Sequence, residues 1–378
     1  MIVKKFLQWS ENAGARERAK AASALARAFV CSDLTHEDRR AAEAAMALLL
    51  DDPSPMVRLA LAESLATSHK APRAVIHGLA RDQLEVAGLI ACCSPVLGDS
   101  DLVDLVADSP MGVRRAIAMR SPLTPAVCAA LAEVGGQMAV TEMLDNGAAR
   151  IAGVTLRRIM ELYGETPAIR ARLLDRSDLP CDVRQALIDA IGRALAGSAL
   201  VASLVGKNRV GKVTGEACQY ATLHLAGTIR ADEMPALVEH LRIGGKLTPA
   251  FLMHTLCVGN IDFFAAAISS VSGVDQQRVR GLLVDGRRNA IEALYRSGGI
   301  DPATCEVFVS ATLLWRQATR ASSSPSALKI TDELMDRFGS NRDDGGIAEL
   351  LSLVEKLNLN FRRQAAKDYA VSMARQAA

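Results

Sequence analysis

Asp52-Pro53-Ser54-Pro55-Met56-Val57-Arg58 returns as Asp108-Ser109-Pro110-Met111-Gly112-Val113-Arg114, and again as Asp178-Leu179-Pro180-Cys181-Asp182-Val183-Arg184. Each copy sets Val five and Arg six residues after the Asp, and each runs into an Ala- and Leu-rich stretch. The copies lie 56 and 70 residues apart, which leaves room for one further unit in each gap. Asp82-Gln83-Leu84-Glu85-Val86 and Asp145-Asn146-Gly147-Ala148-Ala149-Arg150 fill those gaps as degraded copies, giving a period of 26–37 residues. A period of that length marks a stack of supersecondary units, each too small to bury its apolar face alone.

Helix signals run along the rest of the chain. Ser54-Pro55, Ser109-Pro110, Thr124-Pro125, Thr166-Pro167, Thr248-Pro249, Asp301-Pro302 and Ser324-Pro325 each place a capping side chain before a proline. The side-chain oxygen accepts from an orphan helix-start N–H, and Pro at the first helical position brings a preset φ. Leu59, Ala62, Leu65 and Ala66, and later Ile347, Leu350, Leu351, Val354 and Leu357, recur at helical spacing. No series of alternating β-branched runs joined by hairpin turns accompanies them. The predicted class is all-α.

The Asp-x4-Val-Arg pattern ahead of a helix resembles HEAT-type repeats and the related leucine-rich variant repeats. The resemblance implies an α-solenoid in which the Asp and Arg of successive units form an interior ladder, here Asp52, Arg58, Asp108, Arg114, Asp178 and Arg184. These six are read as structural, because a buried guanidinium needs a carboxylate and a neighbouring unit can supply one. The second half lacks the pattern. Its densest segment runs from Leu247-Thr248-Pro249-Ala250-Phe251-Leu252 through Asn260-Ile261-Asp262-Phe263-Phe264 to Ala293-Leu294-Tyr295. It resembles the second block of an alphaproteobacterial family of unknown function whose members carry HEAT-like repeats first. That likeness, over roughly residues 20–320, implies a fold and supplies no activity. The expected organisation is HEAT-like repeats over residues 1–200, a helical region continuing the stack over 201–320, and C-terminal helices over 321–378. A loop at 321–326 leads to two helices near 327–338 and 347–376, on either side of a turn at 339–346.

Composition narrows the function. The 378 residues are 50% hydrophobic and only 4% aromatic, with 44 basic and 42 acidic side chains. Residues 1–200 carry 23 basic and 24 acidic groups and residues 201–378 carry 21 and 18, so neither half has the charge of a nucleic-acid binder. The longest uncharged run, 247–261, is 15 residues and contains His254. A span needs roughly 18, and the N-terminus has no apolar stretch of signal-peptide length. The eight cysteines, at 31, 92, 93, 128, 181, 218, 257 and 305, form no CxxC pair and are read mostly as buried free thiols in a reducing cytoplasm.

Candidate chemistry is sparse. Gly206-Lys207-Asn208-Arg209-Val210-Gly211-Lys212-Val213 matches a phosphate-binding G-x4-G-K loop except at Val213, which stands where Ser or Thr would hold magnesium. It is read as a Gly- and Lys-rich turn between helices. Histidines 36, 69, 77, 224, 240 and 254 have no ligand spacing, and each is read as a surface or satisfied core residue. Cys92-Cys93 lies in apolar sequence, which does not favour a thiolate. The pairs Arg114-Arg115, Arg157-Arg158, Arg287-Arg288 and Arg362-Arg363 point about 100° apart on a helix and are read as solvated or ladder residues. The expected function is a non-enzymatic scaffold or adaptor that binds another protein in the bacterial cytoplasm, with no cofactor, no metal and no membrane insertion. The stripe of the last helix either caps the stack or supports a homo-oligomer. Two rival readings are a nucleic-acid-binding HEAT-like solenoid and an enzyme with an unrecognised site between the halves.

Overall fold

The computed structural model describes residue 9 and residues 12–320, 327–339 and 345–377. The loop expected at 321–326, the centre of the turn at 339–346 and the first eight residues lie outside the described residues. The chain is all-helical, 78% helix, with no strand among the described residues and one isolated bridge between Leu123 and Ala149. It divides into two compact units, Met1–Val183 and Arg184–Ala378. The division falls within a helix near residue 183 instead of at 200, and residues 321–378 belong to the second unit.

Among the described residues, eleven helices lie in the first unit and a twelfth carries the boundary. They are α1 (Ala15–Cys31), α2 (His36–Leu49), α3 (Pro55–Leu65), α4 (Arg73–Leu79), α5 (Leu84–Cys93), α6 (Asp99–Asp108), α7 (Met111–Ala118), α8 (Pro125–Val134), α9 (Gly136–Asp145), α10 (Gly153–Tyr163), α11 (Pro167–Leu174) and α12 (Cys181–Ala196). Odd-numbered helices from α1 to α11 form a row in which each packs on the next odd one. A second row joins α2 to α4, and α6 to α8 to α10. Pro55, Pro125 and Pro167 open their helices as expected. The hydroxyl caps at Ser54, Thr124 and Thr166 do not form. The Ser54 N–H is instead held by Asp52 Oδ1 at 2.8 Å. In α3, Val57, Leu61, Ala62 and Leu65 are fully buried, each large side chain contributing about 1.5–3 kcal/mol. Buried Ala19, Ala22 and Ala26 line the inner face of α1, and small side chains there let α3 approach closely.

The second unit continues with α13 (Ala199–Val205), α14 (Lys207–Thr228), α15 (Met234–Ile243), α16 (Pro249–Val258), α17 (Ile261–Ser272), α18 (Gln276–Asp285), α19 (Arg288–Ser297), α20 (Pro302–Arg320), α21 (Ala327–Phe338) and α22 (Gly345–Ala377). Its core gathers most of the buried aromatic residues, whereas Phe29 is the large aromatic side chain buried in the first unit. Phe264 lies 5.9 Å from Tyr295 and 6.3 Å from Phe308, centroid to centroid, and Tyr295 lies 5.7 Å from Phe308. The buried Tyr295 hydroxyl meets Thr312 Oγ1 at 2.5 Å, so the ring's polar end is satisfied. Trp315 Nε1 donates to Leu256 O at 2.5 Å and ties α20 to α16. The Arg316 guanidinium donates to Leu283 O and to Gly286 O at 2.5 and 2.7 Å, closing the C-terminus of α18.

Leu350, Leu351, Val354 and Leu357 of α22 are buried, and the helix packs on α16, α20 and α21. Ile347 and Phe361, at the two ends of the stripe, are half-buried. The stripe is thus covered within its own unit, and association through it requires α22 to leave its seat. Deleting residues 340–378 is expected to leave a protein that unfolds or aggregates, because the apolar faces of three helices lose their cover. Size-exclusion chromatography and thermal melting check this. A stable, monodisperse truncation would show that α22 is dispensable to the core.

Candidate functional site

The ladder residues are placed by a rule finer than the sequence repeat. In four odd-row helices the fourth residue is arginine: Arg18 in α1, Arg58 in α3, Arg114 in α7 and Arg170 in α11. Each reaches back to a carbonyl of the preceding loop or helix end: Ala13 for Arg18, Asp52 for Arg58, Ala107 for Arg114 and Gly164 for Arg170. Three also reach forward to the next unit. Arg18 Nε meets Asp52 Oδ2 at 2.7 Å, Arg58 Nε meets Asp82 Oδ2 at 2.6 Å, and Arg114 donates to the Val134 carbonyl at 2.6 Å. Asp52 therefore takes Arg18 on its carboxylate and Arg58 on its carbonyl. In α5 and α9 the corresponding residues are Ala87 and Ala139, both buried.

Of the six residues predicted for the ladder, Asp52 and Arg58 are joined, through the Asp52 backbone. Arg114 meets carbonyls only, and its Nε is buried without a partner. Asp108 is exposed. Asp178 pairs with Arg176 at 2.7 Å beside it in the same loop. Arg184 is half-buried at the first position of the second unit. The copy at Asp145 precedes an even-row helix and is out of phase. The unit in that gap starts at Gly136, so the Val134 carbonyl stands where an Asp would. Arg18 and Arg170 lie outside the Asp-x4-Val-Arg pattern, although Arg170 lies four residues after Thr166, within the Thr166-Pro167 helix start.

The paired arginines diverge: Arg115 binds Glu142 at 2.5 Å, Arg158 binds Glu133 at 2.7 Å, Arg157 binds Asp182, and Arg362 binds Asp332 at 2.6 Å. All eight cysteines are free, with Cys31 and Cys93 exposed and Cys128, Cys181, Cys257 and Cys305 buried. Burial pushes the Cys128 thiol up to about 11 and the Cys257 thiol up to about 12, which suits core residues. Burial also raises Cys92, with Cys93 adding to it. No group of three metal-ligating side chains occurs among the described residues. No single described helix is long and apolar enough to cross a membrane; α12 and α13, bent by 72°, pass only as a pair by length and composition.

Two surface features remain. The first is a row of exposed apolar side chains in the first turns of successive odd-row helices: Met56 of α3, Leu84 of α5, Met111 of α7 and Met138 of α9, at 50, 50, 37 and 53% exposure. Leu84 leans on Gly112 and Met111 on Gly136, where any Cβ would come within 2.5 and 2.7 Å of them. The glycines thus let each side chain lie on the backbone of the next unit.

The second feature is a cleft in the second unit, of about 420 Å³. The expected turn at the G-x4-G-K segment is instead helix. Gly206, at φ 96°, is the break, and Lys207 already opens α14. Helical spacing then turns Arg209, Lys212, Val213, Glu216, Gln219 and Tyr220 toward one side. Leu353, Lys356, Leu357, Asn360 and Arg363 of α22 face them, and His254 of α16 lies between. Asn360 Nδ2 donates to the Tyr220 hydroxyl at 2.6 Å across the cleft. The Tyr220 ring meets His254 edge-on at 5.6 Å. His254 is only 4% exposed, its Nδ1 has no partner, and burial holds its pKa down to about 4. It is therefore a neutral, unsatisfied core histidine, contrary to the satisfied one expected.

Two outcomes follow for the ladder. Arg58→Ala is expected to cost on the order of 2–3 kcal/mol, because it strands a carboxylate in a pair with little exposure. Arg114→Ala, which strands only carbonyls, should cost about 1 kcal/mol; equal losses in urea unfolding would show that the Asp82 contact adds nothing. Burial alone would raise the Asp52 carboxyl, but Arg18, the Ser54 amide and Arg58 outweigh it and hold it below the usual range. Its contribution is present above the unfolded carboxylate pKa and lost as pH falls through the lowered folded value. Stability should thus drop below about pH 4, and Asp52→Asn should flatten that drop in a pH series of melts.

No curated protein and no solved structure matches the chain. Residues 86–347, more than half of its length, match the family described as an uncharacterised protein conserved in bacteria (DUF2336), and the chain belongs to that family.

Proposed function

We propose that the chain is a non-enzymatic adaptor of the bacterial cytoplasm whose first unit is a HEAT-like solenoid stack that binds another protein. The two rows of helices and the guanidinium bridges between successive odd-row helices support the repeat reading. The observation that carries the binding reading is the row Met56, Leu84, Met111 and Met138, one exposed apolar side chain per unit. Such side chains lose hydration when covered, and methionine adapts its shape to whatever covers it. A nucleic-acid partner is less well supported, since Arg115, Arg157 and Arg158 are already bound by carboxylates of the same chain. An enzyme with a site between the halves has no observation in its favour.

The test is affinity capture from a bacterial lysate with and without nuclease treatment, comparing the natural chain with Met56→Glu/Met111→Glu/Met138→Glu. Met56 and Met138 are about half exposed and Met111 37%; because Met111 also rests on Gly136, a thermal melt of the variant must show it folded before its capture is compared. The expected result is a protein retained by the natural chain and lost from the variant. Retention by both would remove the apolar row from the interface. Capture abolished by nuclease would favour the nucleic-acid reading.

A further inference from the structure

We infer that the cleft between α14 and α22 is a binding site for a small organic phosphate, its phosphoryl groups held by Arg209, Lys212, Lys356 and Arg363 and its ring placed against Tyr220. Four cations line the cleft against one carboxylate, Glu216. None of the four makes an ion pair among the described residues, whereas cations elsewhere in the same unit do: Arg230 binds Asp232, Arg242 binds Glu239, and Arg362, next to Arg363, binds Asp332. Four cations gathered around one carboxylate repel one another on balance, and a bound polyanion removes that repulsion. Lysine and arginine together offer point charge and a planar fork, the two ways in which proteins hold phosphoryl oxygens.

The second observation is the floor. His254 is nearly fully buried and its Nδ1 has no hydrogen-bond partner. A buried polar atom left bare costs about 1–3 kcal/mol and commonly marks a place completed by a ligand or water. Since burial holds the imidazole neutral at ordinary pH, the floor adds no charge and can face a polar ring atom. Tyr220, fixed by Asn360 and by the edge of His254, gives an aromatic surface at the mouth. The volume, about 420 Å³, lies within the roughly 300–1,000 Å³ typical of small-molecule sites. This site is independent of the adaptor reading of the first unit, and either can fail without the other.

Calorimetric titration of the full chain with ATP and with inorganic pyrophosphate tests it. Both are expected to bind, ATP more tightly because it also covers Tyr220. Lys212→Gln/Arg363→Gln should weaken both by about tenfold or more, with no change in melting temperature, since both side chains are exposed. Tyr220→Leu should remove the advantage of ATP and leave pyrophosphate binding intact. As a control, Arg230→Gln/Arg242→Gln removes two exposed cations outside the cleft and should change nothing. The inference fails if neither probe binds at about 1 mM, if the cleft variant binds like the natural chain, if the control variant weakens binding equally, or if pyrophosphate binds as tightly as ATP.

Discussion

A guanidinium satisfied from two sides is the constraint around which the first unit is arranged. The Arg58 side chain closes the loop before its own helix and grips the loop of the following unit. Only arginine carries enough donors, in a fixed fork, to bind a carbonyl behind it and a carboxylate ahead of it at once; lysine has a single point of charge. The geometry demands that successive odd-row helices start at the same height, because the fourth residue of one must reach the loop preceding the next. The register of the helices and the course of the loops are thus coupled through one side chain per unit. Where the arginine is replaced, at Ala87 and Ala139, the position is buried and apolar, so the stack alternates between bridged and packed contacts.

The helices were legible because their signals are local. Pro55, Pro125, Pro167, Pro249 and Pro302 open helices, and the stripe from Leu350 to Leu357 is buried on one face. The partners of the ladder were not legible. Whether Arg58 meets Asp82, and whether Arg114 meets an Asp or a carbonyl, depends on the lengths of the intervening helices, which spacing alone does not fix. The copy at Asp145 is an example: it resembles the others in sequence but ends α9 and leads into α10, a helix of the other row. The cleft was hidden for a different reason. Arg209 and Lys212 stood inside a misleading phosphate-loop pattern, and Arg363 inside a pair of arginines. Their meeting depends on α22 folding back over α14, more than a hundred residues away in the chain.

Charge is handled differently on one face of the second unit. In the first unit, Arg18, Arg58, Arg115, Arg157 and Arg158 are all paired with carboxylates of neighbouring loops or helices, and the residues left exposed in a row are apolar. The second unit pairs cations as well, among them Arg230, Arg242 and Arg362, but the face between α14 and α22 keeps its cations free above a core closed by packed aromatic rings. A surface of unpaired cations is tolerable where the underlying core does not depend on them. The Phe264, Tyr295 and Phe308 cluster, with Trp315 bonded to Leu256, supplies that independence.

The uneven distribution of aromatic residues makes the two units optically unequal. Of the two tryptophans, Trp9 is 43% exposed, whereas Trp315 is held by a backbone hydrogen bond in the second unit. Near-ultraviolet dichroism, which needs rings held in a fixed asymmetric setting, therefore reports chiefly on the second unit. The first has a mainly aliphatic core and contributes chiefly through its backbone to the far ultraviolet. If the units melt apart, far- and near-ultraviolet transitions need not coincide, and a single optical probe will count only one of two events.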